Sequence, residues 1–236
     1  MSTLYFIRHG QASFGTSDYD KLSNTGKLQA IKLAEYFHHA QIYFKEIYSG
    51  TLLRHRETIN EYISVSKLLN IPINEIQYDE RLNENDAAGI LSVLIPVLLY
   101  EKPHLREHSD RLLSDRKSFQ IIFTEVMRMW CSDKYDMKGV MTWKKFTSDI
   151  YSFIDERINS YNSGENIALI TSSGPIFAML MKILSLNLNT AMLMRDQIAN
   201  TSITKFNYSN DGIMLASFNE YQHLELACEE NIITRR

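Results

Sequence analysis

The feature that most restricts this chain is an uninterrupted apolar run, Leu4 to Ile7, that stops abruptly at Arg8-His9-Gly10. A strand with one face in water alternates apolar and polar residues. A strand without that alternation has both faces covered. A second such run, Ile167-Ala-Leu-Ile-Thr171, stops in the same manner at Ser172-Ser-Gly-Pro175. A helix follows each. Ser23 to Gly26 opens the first, with Ala30, Leu33, Ala34 and Phe37 spaced to share one face. Pro175 falls in the first turn of the other, where its missing N–H costs nothing. Strands covered on both faces and alternating with helices predict a mostly parallel sheet flanked by helices.

The remaining elements fit the same plan. Glu46 to Ser49 reads as a strand closed by Gly50-Thr51, Leu52 to Leu69 as a helix ended by Pro72, and Asn74 to Tyr78 as a third strand. The middle of the chain is different. Phe119, Ile122, Phe123, Val126 and Trp130 share one helical face, and Trp143, Phe146, Ile150 and Phe153 share another. Ser202 to Asn207 and Ile213 to Phe218, joined through Ser209-Asn-Asp-Gly212, predict a closing hairpin. The expected fold is a single α/β domain over residues 1–236, with a helical cap inserted at about 90–162.

Charge restricts the ligand. Lys+Arg is 25 and Asp+Glu is 28, a formal net charge of -3, so the basic excess that a nucleic-acid backbone requires is missing. A small cationic pocket remains compatible. The longest apolar stretch, Ile90 to Tyr100, is interrupted by Ser92 and Pro96 and is too short to cross a bilayer. The first residues lack the pattern of a secretory signal. Cys131 and Cys228 have no metal-ligand spacing. A cytoplasmic protein with no nucleic-acid or membrane partner is expected, its oligomeric state left open.

Three turns follow predicted strands: Arg8-His9-Gly10, Gly50 to Arg54, and Ser172-Ser173-Gly174. In an open parallel sheet the ligand crevice lies beyond the carboxyl ends of the strands, so all three turns are expected to face one crevice. Arg8 and Arg54 supply planar forks matched to phosphate oxygens. An imidazole between them, His9, can attack phosphorus and hold the group covalently. Gly10 lets the backbone approach the anion, and a helix N-terminus at Gly174-Pro175 would aim amide donors at the same place. The leaving oxygen needs a proton, for which Glu84 in Arg81-Leu-Asn-Glu84 is the chosen donor.

These residues resemble the histidine phosphatase superfamily, the phosphoglycerate mutase-like family. Arg8-His9-Gly10 matches its hallmark after the first strand. Leu52-Leu53-Arg54-His55-Arg56-Glu57-Thr58 matches its Leu-x-Arg-x-x-x-Thr, and Leu82-Asn83-Glu84 its Leu-x-Glu. Tyr19-Asp-Lys-Leu-Ser23 with Gly26, and the ending Asn219 to Leu224, extend the likeness over residues 3 to about 224. The resemblance implies a phosphoglycerate mutase-like fold and a phosphohistidine intermediate on His9. It further implies phosphoryl binding by Arg8 and Arg54, acid–base work by Glu84, and Gln11 near the phosphate. The implied partner is a small phosphorylated substrate, with no cofactor and no metal.

One position departs from the pattern. The family usually has Ser-His-Gly after its later strand, and that histidine also touches the phosphoryl group; here Ser173 occupies the position. A hydroxyl offers a neutral hydrogen bond where an imidazolium offers a charged one. The loss in the transition state is on the order of 2–4 kcal/mol, judged from the removal of an oxyanion donor. Weak phosphatase activity is therefore one reading, and a pseudo-phosphatase that binds a phosphorylated ligand or protein without turnover is the other. His55 and His223 are candidates to compensate. A mutase is disfavoured because Gln11-Ala-Ser-Phe-Gly15 continues the first motif without the Trp-Asn of that group. Substrate selection is assigned to the cap and to the loop Ser13 to Asp18.

Bland readings account for the other polar residues. Ser173 could serve only as a helix N-cap. His38-His39 closes an amphipathic helix, where histidine suits the dipole. His104 and His108 stand four apart without a third ligand and read as a solvated helix face, as does Arg56. No Gly-x-Gly phosphate loop is present, so a nucleotide cofactor is not indicated.

Overall fold

A computed structural model describes residues 1–13, 19–159, 164–209 and 211–235. Residues 14–18 of the predicted specificity loop, the end of the predicted cap and Asn210 of the hairpin turn lie outside the described residues. The chain divides into two compact units, Met1–Glu84 with Ser152–Arg236, and Asn85–Tyr151.

The first unit holds a six-stranded sheet. Its strands are β1 (Ser2–Arg8), β2 (Glu46–Ser49), β3 (Ile76–Tyr78), β4 (Asn166–Thr171), β5 (Ile203–Ser209) and β6 (Gly212–Glu220), in the spatial order β3-β2-β4-β1-β5-β6. β1, β2, β3 and β4 are parallel, and the β5–β6 hairpin adds the antiparallel pairs. β4 returns between β1 and β2, and Arg8 of β1 is in register with Thr171 of β4. The four parallel strands therefore end at one edge, where Arg8, Ser49, Tyr78 and Thr171 hand the chain to the turns singled out above.

Burial on both faces explains the unbroken apolar strands. Tyr5 and Ile7 of β1, with Ile47, Ala168 and Ile170, pack against α1 (Asn24–His39) and α2 (Leu53–Leu68) through Leu33, Phe37, Ile59 and Tyr62. Aromatic rings meet edge to face there, Phe37 and Phe44 at 4.9 Å, a favoured arrangement for π systems. On the other face, Phe6 meets Phe206 at 5.3 Å and Tyr48 meets Phe153 at 5.1 Å. The helix entries follow the sequence signals: Ser23 caps α1 by accepting from the Gly26 amide at 3.0 Å. β3 is shorter than the predicted Asn74–Tyr78, because Asn74 turns its amide onto the carbonyls of Phe44 and Lys45, each at 2.9 Å.

The second unit has helices and no strand among its described residues. It contains α3 (Ala87–Glu101), α4 (Arg106–Asp110), α5 (Arg116–Cys131) and the first part of α6 (Trp143–Ile158). Ile90, Leu94, Leu98, Ile122, Val126, Trp130, Phe146 and Ile150 are among its buried apolar residues. The Trp130 ring lies 5.3 Å from that of Trp143, and its Nε1–H donates to the Met141 carbonyl at 2.8 Å. The first unit closes with α7 (Ser173–Leu184), α8 (Leu188–Gln197) and α9 (Gln222–Glu225). Among the described residues no helix is long and apolar enough to cross a membrane.

Candidate active site

The site grows from the end of β1. The Arg8 amide donates to Ser202 O at 3.1 Å and the His9 amide to Thr171 O at 2.9 Å, so the strand stays clamped between both neighbours up to His9. Asn200 and Thr201 hold the carbonyl side: Thr201 N donates to Arg8 O at 3.0 Å, and Asn200 Nδ2 to His9 O at 3.1 Å. His9 Nδ1 lies 2.6 Å from Gly10 O. A carbonyl can only accept, so the hydrogen sits on Nδ1 and Nε2 keeps its lone pair. That lone pair receives the Arg54 Nε–H at 3.1 Å. His9 is buried, and its pKa is held well below the usual histidine value by burial first, then by Arg54, His55 and Arg8.

α2 supplies the second part. Arg54 lies in its first turn, and Nη1 pairs with Asp20. The other Asp20 oxygen accepts from the Leu53 amide at 2.6 Å, at the positive end of the helix. One turn further, Thr58 accepts from the Gly10 amide at 3.0 Å and donates to Arg54 O at 2.7 Å. The Arg-x-x-x-Thr spacing thus has a physical basis: residues four apart on a helix share a face, and here one engages the His9 ring while the other fixes the turn after it. A Cβ at Gly10 would stand 2.4 Å from Gly26 O, so the turn crosses α1 too closely for any side chain.

Arg8 points to the same place. Its Nη1 donates to Ile198 O, and its buried Nε has no hydrogen-bond partner among the described residues, which leaves that donor available to an anion. Burial lowers its pKa to about 10; Glu84 opposes that shift, while Arg195 and Arg54 add to it. Glu84 Oε2 accepts from Ser173 Oγ at 3.1 Å and from the Gly174 amide at 3.2 Å. His9, Arg8, Arg54, Glu84, Ser173 and Gly174 are therefore one cluster, at the strand ends where the crevice was expected.

Two expectations are corrected in detail, the cap of α7 and the residue at which it begins. Ser173 is not the cap of α7: β4 runs to Thr171, so the single extended residue between strand and helix is Ser172 (φ -119°, ψ 178°). The helix begins at Ser173 rather than at Gly174-Pro175, and the Gly174 amide is engaged by Glu84. Gln11 directs its side-chain carbonyl to Ser23 Oγ at 2.8 Å, tying the turn to the start of α1. Of the two histidines weighed as substitutes, His55 lies beside His9, with ring centroids 5.5 Å apart. His223 instead supports the loop behind the site, its Nε2 at 3.0 Å from Thr201 Oγ1. Asp20, Thr58, Asn200 and Arg195 were not singled out from sequence. Thr58 had a signal in its motif spacing; the others become neighbours only through tertiary packing.

The buried histidines make the stability of the protein depend on pH between neutrality and mild acid. Burial is the largest cause of depression at His9, His55 and His223, and it places His223 at about 4 against an ordinary 6.5. Below the ordinary value the unfolded chain takes up protons that the folded chain refuses. Stability therefore falls as pH falls, by up to about 1.4 kcal/mol per pH unit for each group. The contribution of His223 is fully lost by its folded value, near 4. The midpoint of urea unfolding is expected to drop between pH 7 and pH 5. A constant midpoint across that range would contradict neutral buried imidazoles.

The family model described as histidine phosphatase superfamily (branch 1) matches residues 4–92 and 88–221. Among curated proteins no match was found. Solved structures with the same fold include a variant of the phosphoserine phosphatase of Entamoeba histolytica in complex with phosphoserine. It is 19% identical with a TM-score of 0.62, over 95% of this chain and 100% of that one. A phosphoglycerate mutase from Bacillus anthracis is 17% identical with a TM-score of 0.62, over 97% of each chain. A mycobacterial glucosyl-3-phosphoglycerate phosphatase is 18% identical with a TM-score of 0.57, over 92% and 98%. At these identities the likeness is one of fold.

Proposed function

The chain belongs to the histidine phosphatase superfamily, and on that premise we propose that it hydrolyses small phosphomonoesters through a phosphohistidine on Nε2 of His9. The observation that carries the reading is the state of the His9 ring, with Nδ1 committed to Gly10 O and Nε2 unprotonated beside a guanidinium. An imidazole so held is a nucleophile at neutral pH.

Arg8, Arg54 and the first turn of α7 bind and orient the phosphoryl oxygens; such positioning is most of what this chemistry asks of a protein. His9 Nε2 forms a bond to phosphorus while the ester P–O bond breaks. The departing oxygen takes the proton of Glu84. Water then attacks the phosphohistidine, Glu84 takes the water proton back, and the P–N bond breaks to release phosphate. His9 recovers its lone pair and Glu84 its proton, so the cycle closes.

Ser173 supports a second reading, binding of a phosphorylated ligand or protein without turnover, because a neutral hydroxyl already engaged by Glu84 stands where the family has an imidazole. Rapid quenching in alkali during hydrolysis of a labelled phosphomonoester separates the two. Turnover by the proposed route puts an alkali-stable, acid-labile label on the peptide that contains His9. Hydrolysis with no labelled enzyme at any quench time, or label on another peptide, would overturn the route; tight vanadate binding without hydrolysis would favour the second reading.

A further inference from the structure

We propose that His55 is the second imidazole of this site, a positioning residue for His9 delivered by α2 instead of by the turn after β4. The proposal rests on the phosphatase reading only for its kinetic consequence; the placement is independent of it.

His55 is fully buried, and its ring centroid is 5.5 Å from that of His9 at an interplanar angle of 44°. Its Nε2 lies 2.7 Å from the hydroxyl of Ser172, the residue joining β4 to α7. Ser172 makes no side-chain cap bond to its own helix; its hydroxyl is turned to His55 instead. On the far side, His55 Nδ1 is buried without a hydrogen-bond partner among the described residues; the Asn83 side chain nearby opposes the downward shift that burial and Arg54 impose on the ring. The same Asn83 Oδ1 accepts from Thr51 N at 2.7 Å and Leu52 N at 3.3 Å, fixing the entry to α2. The fold keeps room for the ring: a Cβ at Gly50 would stand 2.1 Å from His55 Nδ1 and 2.7 Å from Asn83 Oδ1.

A buried imidazole must give up its water and recover the loss in hydrogen bonds, whereas an apolar side chain would fill the same volume without that cost. The position next to Arg54 is thus specified for more than filling. Through Ser172, His55 ties the start of α7, where Ser173, Gly174 and Glu84 meet, to the element that carries Arg54. Through direct contact it walls one side of the nucleophile. The charged and titratable groups acting on His9 are Arg8 from β1 and Arg54 and His55 from α2. Arg54 is the one acting on His55. Removing His55 opens one side of the buried His9 ring, relieving the desolvation that is the largest cause of its lowered pKa, and leaves the ring less well fixed.

The test is a histidine-labelled NMR titration of wild type, His55→Gln and Ser172→Ala, joined to kinetics on p-nitrophenyl phosphate. In His55→Gln, His9 is expected to titrate at higher pH. kcat is expected to fall on the order of 10- to 100-fold, the scale of a small misplacement of reacting groups, with KM near wild type. Ser172→Ala keeps the imidazole but releases it, and kcat is expected to fall there too. An unmoved His9 titration, or a loss of kcat no larger than the loss of folded protein by circular dichroism, overturns the proposal. If His55→Gln does not fold, Ser172→Ala decides on the same kinetic and folding readouts. A wild-type protein inert towards phosphomonoesters would sink the phosphatase reading and leave the His9 titration to decide the role of His55.

Discussion

Alanine in place of His9 is expected to lower kcat/KM for p-nitrophenyl phosphate by on the order of 10⁴- to 10⁶-fold, the range seen when a covalent nucleophile is removed from an otherwise intact site. The size of the loss follows because, among the described residues, the two other histidines near the site are committed elsewhere. His55 has its Nε2 against Ser172, and His223 is bonded to Thr201. Arg8, Arg54 and the amides of α7 remain in His9→Ala, so vanadate binding is expected to survive while turnover does not. The fold is expected to survive as well. His9 N and O are held by Thr171 and Asn200 through backbone atoms that alanine also has, and a buried imidazole beside two guanidiniums is not itself a source of stability. Equal rates for wild type and variant would mean that the hydrolysis does not pass through His9.

The energetic question raised by Ser173 is narrower than it looks from sequence. A missing imidazole at 173 removes one charge-assisted contact, but the phosphoryl group would still meet two guanidiniums and a helix N-terminus. Burial has brought Arg8 down to about 10, still far above neutral pH, so its charge is retained. Ser173 and Gly174 both donate to Glu84, which fixes the acid in the cluster. The cluster therefore keeps the His9 imidazole, both guanidiniums and a placed carboxyl group.

The sequence reveals the sheet more readily than the site. Strands covered on both faces, such as Leu4–Ile7 and Ile167–Ile170, have an unbroken apolar pattern because neither face meets water. Asn74 escaped that logic: its residue type suits a strand edge or a turn equally, and the hydrogen bonds to Phe44 and Lys45 that decide the matter are tertiary. Arg8, His9, Arg54 and Glu84 were legible because each lies at or just beyond the end of a strand in a parallel sheet, and parallel strands end together. His55 was not legible in the same way. It follows Arg54 by one residue, and which way that position faces depends on how α2 packs; Arg56, one residue further on, is exposed. Asn200 and Thr201 precede β5, which became a neighbour of β1 only through the antiparallel pairing of the hairpin. Asp20 needed the turn around Tyr19 to carry it to α2.

Glutamine at position 84 is expected to separate the two chemical steps. Its side-chain oxygen can still accept from Ser173 and Gly174, so the start of α7 keeps its partner, but the proton is gone. For an alkyl phosphomonoester, whose leaving oxygen is a strong base, the loss of general-acid help is expected to reduce kcat on the order of 10²- to 10⁴-fold. p-Nitrophenolate is a weak base and departs without a proton, so transfer of phosphate to His9 from p-nitrophenyl phosphate is expected to be nearly unaffected. Hydrolysis of the phosphohistidine still needs water activated by a base, and that step slows for every substrate. The expected trace with p-nitrophenyl phosphate is a burst of product stoichiometric with enzyme, followed by a slow steady rate, and His9 is expected to stay phosphorylated throughout. The position of Glu84 at the helix start allows an alternative in which it only holds α7 in place. In that case Glu84→Gln, which preserves the acceptor, would behave like wild type, or would lose activity equally on both substrates with no burst. A burst on the activated ester together with a deep loss on the alkyl ester fits a group that gives a proton in one step and takes it back in the next.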